Sequence, residues 1–136
     1  MDTLIDTLHQ GGYSCVIRKE TKTRTFHQRG VKDLWELCQS EDDFLLGAQV
    51  ADKVIGKGAA ALMAYGGVSE VYADVISTPA LELLQKHGVN VAYAQQTDRI
   101  LNRQQNGLCP VETLCQPLQS LEEMYSIITQ FIKQNL

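Results

Sequence analysis

Apolar positions along this chain come in short bursts whose spacing switches several times between helical and alternating. Leu4, Ile5 and Leu8 share one helical face, and Gly11-Gly12 ends that first helix. Tyr13 to Lys19 reads as a strand carrying Cys15, Val16 and Ile17, and Thr23 to Gln28 as its hairpin partner across a Glu20-Thr21-Lys22 turn. After Gly30, Val31, Leu34, Leu37 and Cys38 recur at helical spacing, and Glu41-Asp42-Asp43 reads as a solvated loop. Asp52 to Tyr65, apolar through its second half and ended by Gly66-Gly67, predicts a helix whose small residues let it lie close against a sheet.

The second half of the chain repeats the alternation. Val68 to Ile76 is apolar on both parities and predicts a buried strand. Ser77-Thr78-Pro79 predicts a helix start with Thr78 as N-cap, and Lys86-His87-Gly88 predicts its end. Val89 to Tyr93 is the next strand, so strand, helix and strand imply a parallel pair joined by a right-handed crossover. From Gln95 to Gly107 the chain turns polar, and Cys109-Pro110 opens a short helix. Ser120 and Glu123 form a capping box for a last helix packed through Leu121, Met124, Ile128 and Phe131-Ile132.

No linker or repeat divides residues 1–136, so a single domain is expected, within the usual range of roughly 100–200 residues. The net charge of −4 comes from interleaved acids and bases with no basic block, which argues against general nucleic-acid binding. The longest apolar stretch, Ala59 to Tyr65, is far shorter than the ~20 residues of a membrane span. Asp2 and Asp6 stand where a signal peptide carries positive charge, so a cytosolic protein without membrane attachment is expected. Cys15, Cys38, Cys109 and Cys115 have no framework spacing and read as free thiols.

Three stretches carry a resemblance: Gly47 to Lys57, Val71 to Leu81, and Asn102-Arg103 followed by Gly107 to Glu112. They resemble an uncharacterised prokaryotic family, a domain of unknown function assigned to the cytidine-deaminase-like superfamily. The resemblance implies an α/β fold, a mixed sheet with a hairpin edge flanked by helices, and no established activity. Zinc deaminases use His-x-Glu at one helix start and Pro-Cys-x-x-Cys at the next. Here the corresponding starts read Ala51-Asp52-Lys53 and Pro79-Ala80-Leu81-Glu82-Leu83, and Ala80 and Leu83 cannot ligate zinc. No metal and no cofactor are therefore expected.

Without zinc, two adjacent helix N-termini would suit an anion such as phosphate. Asp52, Lys53, Ser77 and Thr78 are expected at those ends, with Lys57 one turn further along, although Asp52 and Thr78 could simply cap their own helices. Gly56-Lys57-Gly58-Ala59-Ala60-Ala61 fits a permissive dinucleotide fingerprint with Asp74 near the ribose-acid position. Ala51-Asp52-Lys53 is a poor strand to precede it, however, and close helix packing explains the small residues as well. Cys109 at a helix start would have a thiol exposed to the dipole, or be a buried structural thiol. Asn102 and Arg103 could grip a carboxylate or phosphate, or close a surface loop on Glu112.

These residues point to a homo-oligomeric binding or regulatory module for a nucleotide-like ligand, with apolar surface on its terminal helices for self-association. Two rivals remain open. One is a zinc-independent enzyme using Cys109 as nucleophile or Asp52 as acid/base, and the other a structural or interaction protein.

Overall fold

In the computed structural model, which describes residues 1–28, 31–100 and 110–135, the chain opens with α1 (Asp2–Gln10). Leu4 and Leu8, one turn apart, are its buried face, and Gly12 at φ 65 turns the chain out of it. β1 (Cys15–Lys19) and β2 (Lys22–Phe26) form the expected hairpin, tighter than the sequence suggested, because Lys19 and Lys22 pair directly and Glu20 takes the positive φ of the turn. α2 (Lys32–Gln39) buries Leu34, Trp35 and Leu37, and the Trp35 indole N–H donates to Thr129 Oγ1 at 2.8 Å.

The next element corrects the sequence reading. Asp52 to Ile55 belongs to a strand, β3 (Gln49–Ile55), and the helix expected from Asp52 begins only at Lys57, as α3 (Lys57–Gly66). Both flanks of β3 are paired, antiparallel to β1 and parallel to β4 (Glu70–Ser77), so polar Asp52 and Lys53 are held by ladders that local propensity does not reveal. β-branched Val54 and Ile55 extend the strand and Gly56 ends it. α3 buries every residue from Gly58 to Met63 and stops at Gly67, whose φ of +85 admits glycine readily.

α4 (Thr78–Lys86) is capped by Ser77, whose Oγ accepts from the Ala80 N–H at 3.2 Å, so the N-cap lies one residue before the expected Thr78. β5 (Asn90–Thr97) outruns the expected Val89–Tyr93 strand and takes in Gln95 and Gln96 from the polar tract. α5 (Pro110–Cys115) and α6 (Leu121–Gln134) complete the chain. Ser120 caps α6 by accepting from the Glu123 N–H at 3.0 Å, and Met124, Ile128 and Ile132 are its buried stripe.

The five strands form one open mixed sheet in the order β2-β1-β3-β4-β5, with β3, β4 and β5 parallel. α3 packs against α2, α4, α5 and α6 over the main core. α1 lies on the other face with a separate cluster of Leu4, Leu8, Val16 and Ala51. Among the described residues no helix is long and apolar enough to cross a membrane.

Candidate functional site

Parallel pairing of β3 with β4 sets Ile55 beside Ile76, so the chain leaves both strands at the same edge and enters α3 and α4 there. Two helix starts, each with unpaired amides and a partial positive charge, therefore lie side by side, as the sequence suggested. The residues that occupy them differ. α5 delivers Glu112, only 5% exposed, whose Oε2 accepts from the Lys57 N–H at 2.5 Å. The Lys57 ammonium reaches back to α5, donating to the carbonyls of Gln116 at 2.9 Å and Leu118 at 3.0 Å. Each helix thus satisfies the other's open end, the carboxylate at a positive terminus and the ammonium beside a negative one.

The two glycines of the Gly56-Lys57-Gly58 stretch make this contact possible. A Cβ on Gly56 would sit 2.7 Å from Glu112 Oε2, and one on Gly58 would run into Val111 Cγ1. Burial pushes the Glu112 carboxyl above its ordinary range, against the opposing pull of the Lys57 amide, the Ser77 hydroxyl, the Lys57 charge and the Gly58 amide. Its other oxygen, Oε1, is buried with no hydrogen-bond partner among the described residues. At the α4 start, Ser77 is fully buried, and Thr78 Oγ1 ties α4 to β5 by donating to the Thr97 carbonyl and accepting from Gln96 Nε2.

A second polar group lies in the sheet. Register places Phe26, Cys15, Asp52, Ala73 and Tyr93 in one row across the five strands. Cys15 and Ala73 are buried in the main core, so the half-buried Asp52 belongs to the helix-covered face. Burial drives its carboxyl up to about 7, despite hydrogen bonds from the Val54 amide (3.2 Å), the Cys15 thiol and the Lys53 amide, and Asp74 pushes in the same upward direction. The Cys15 thiol is pushed well above its usual value by burial and by Asp52, so it is a donor here and not a nucleophile.

The sequence-derived site is therefore redistributed. Asp52 and Lys53 stand within β3 and cap no helix. Lys57, expected a turn inside its helix, is the first helical residue. The residues before α3 do form a strand, contrary to expectation, so the fingerprint stretch has the strand-to-helix setting of a dinucleotide site. The first turn that would receive a pyrophosphate instead holds Glu112, and Asp74 is engaged elsewhere: its Oδ1 accepts from Tyr72 OH and meets His9 Nε2, each at 2.8 Å. That His9–Asp74–Tyr72 cluster, which pins α1 to β4, went unnoticed in the sequence because α1 and β4 meet only in the fold. Asn102, Arg103 and Cys109 lie outside the described residues. Among the described residues no three His, Cys, Asp or Glu side chains gather as a metal-binding set.

Residues 3–132 match the protein family described as "TM1506: Domain of unknown function (DUF1893)". The chain is also similar to the crystal structure of a DUF1893 family protein, TM1506 from Thermotoga maritima, at a TM-score of 0.86 and 25% identity. That likeness covers 95% of this chain and 87% of the other. No curated protein matches the chain.

Proposed function

The chain belongs to the DUF1893 family, a domain of unknown function, and from that premise we propose a ligand-binding module that holds an uncharged nucleoside- or base-like molecule at Asp52. The observation that carries this reading is the placement of Asp52: a half-buried carboxyl in the interior strand β3, beside Cys15 and accepting from the Val54 N–H at 3.2 Å, where burial raises it to about 7. Near neutral pH such a group either donates or accepts a hydrogen bond, which suits the mixed donor and acceptor edge of a heterocyclic base. A phosphate is the weaker candidate, because amides that would receive it already have partners: Lys57 with Glu112, and Ala80 with Ser77.

The proposed scaffold is cytidine-deaminase-like, supported by the mixed sheet with an antiparallel hairpin at one edge. Zinc-assisted deamination is left out of the proposal because Ala80, Leu83 and the α3 start at Gly56-Lys57-Gly58 carry no metal-binding set. A cytosolic setting accords with the free thiols of Cys15 and Cys38.

A thermal-shift series with nucleobases, nucleosides, nucleoside monophosphates and inorganic phosphate tests the reading. Nucleosides should stabilise the wild type, Asp52→Ala should abolish the shift, and phosphate alone should give none. Stabilisation that follows the phosphate, or that persists in Asp52→Ala, would place the ligand elsewhere. The same near-neutral carboxyl supports a second reading, an enzyme using Asp52 as general acid or base. Turnover of a stabilising nucleoside, lost in Asp52→Asn, would establish it over binding alone.

A further inference from the structure

We infer that β5 is a self-association edge, along which a second copy of this chain adds its own β5 antiparallel to continue the sheet. β5 is the last strand of the sheet, and six of its eight residues (Asn90, Ala92, Tyr93, Ala94, Gln95 and Gln96) are exposed. Its neighbour β4 pairs with it along its length on one flank. Among the described residues no strand pairs with its other flank, which is a sheet edge with backbone groups that a further strand can pair.

The two edges of this sheet are built differently, and the difference selects β5. The β2 edge carries Lys22 and Arg24, and Arg24 is anchored to Asp42 at 2.7 Å and lies 3.9 Å over the Phe44 ring. Charge and an anchored side chain on an edge strand discourage pairing with another chain. β5, with the sequence NVAYAQQT, carries no charge and no proline, and is the longer strand. It lacks each of the devices that protect β2.

Charge also favours a second copy as the occupant. In the fully overlapping antiparallel two-fold pairing every β5 residue meets a neutral β5 residue, with Tyr93 opposite Ala94 at the centre, so no like charges oppose each other along the strand. Beyond the strand, Lys86 and His87 flank one end, and Asp98 followed by Arg99 flanks the other. The two-fold brings Asp98 of each copy toward the basic end of its mate, while the Asp98–Arg99 pair as a whole adds no net charge. A protein of net charge −4 meets less repulsion along this neutral strip than an acidic patch would impose. A strand edge alone buries less than the roughly 800 Å² per partner of a stable interface, so the association is expected to be weak and concentration-dependent.

Sedimentation velocity on the full chain at about 1 to 200 μM, a range chosen for weak association, tests the inference. The wild type should shift from monomer to dimer across it, and Ala94→Lys, which puts a charge on each edge strand opposite Tyr93 of its mate, should remain monomeric with an unchanged melting temperature. Gln96→Lys serves as a second variant in case the first is poorly folded. Hydrogen exchange on the wild type gives a readout free of mutation: protection of β5 amides should rise with concentration while β2 stays constant. A wild type that is monomeric throughout, or lysine variants that dimerise as before, overturns the inference. A monomer whose β5 becomes protected only by another protein would show that the edge serves a different partner, and overturns it equally.

Discussion

Asp52, half-buried in the sheet, and Glu112, buried at a helix start, are carboxyls in which burial outweighs the donors around them. Glu112 faces donors of a helix start, so its charged form is supported even as burial opposes it. Asp52 has the amides of Val54 and Lys53 and the Cys15 thiol, and burial still dominates. With a folded pKa near 7 against an unfolded value near 4, the folded state binds the extra proton. The stability this group contributes is therefore complete below about pH 4 and lost as pH rises through about 7. Asp52→Asn should raise the melting temperature relative to wild type at pH 8 and lose that advantage by pH 4.5, with a difference of at most a few kcal/mol. A pH-independent difference in denaturation midpoints would contradict the burial of this carboxyl. Glu112 gives the converse test. Glu112→Ala leaves the Lys57 amide unpaired and should cost about 1–3 kcal/mol, while Glu112→Gln keeps an acceptor and should cost less than half of that. Equal losses in urea denaturation would mean that the carboxylate does not cap α3.

The packing of α5 on α3 explains why small residues begin α3. Replacing a glycine in a helix by alanine ordinarily stabilises it by up to ~1 kcal/mol. At Gly58 the new methyl would meet Val111, so Gly58→Ala should instead destabilise by about 1–3 kcal/mol. Val111→Ala in the same chain should recover part of the loss, and a double-mutant cycle on denaturation midpoints would measure the coupling. Which elements the sequence revealed follows from how local their signals are. Ser120 and Glu123 marked the start of α6, and Pro79 with Gly88 framed α4, because caps are made by residues adjacent in the chain. β3 was hidden because an interior strand covered on both faces need not alternate, and the alanines of α3 drew the helical pattern back over it. Asp52 was legible as a residue worth attention, but its near-neutral carboxyl comes from burial that only tertiary packing supplies, against the pull of the Cys15 thiol brought beside it by strand pairing. The capping role of Glu112 was likewise invisible, since α3 and α5 are brought together only by tertiary packing.

At the scale of the whole molecule, the sheet separates two apolar clusters of unequal size. The larger joins α2 to α6 over one face, and the smaller holds α1 on the other. Because Leu4 and Leu8 are the two buried anchors of α1, lifting that helix alone should cost roughly 3–6 kcal/mol in lost apolar burial, with the exposed His9–Asp74 contact adding little. The chain therefore has two opening free energies instead of one, and α1 is a subunit of cooperativity in its own right. Dilute protease should cut at Gly11-Gly12 under native conditions well below the temperature at which the remaining sheet melts. Cleavage there that waits for the main calorimetric transition would show that both clusters open as one unit. A helix that detaches first would make the N-terminal segment the place where this protein begins to be degraded, at a rate set by two leucines and indifferent to the stability of everything across the sheet.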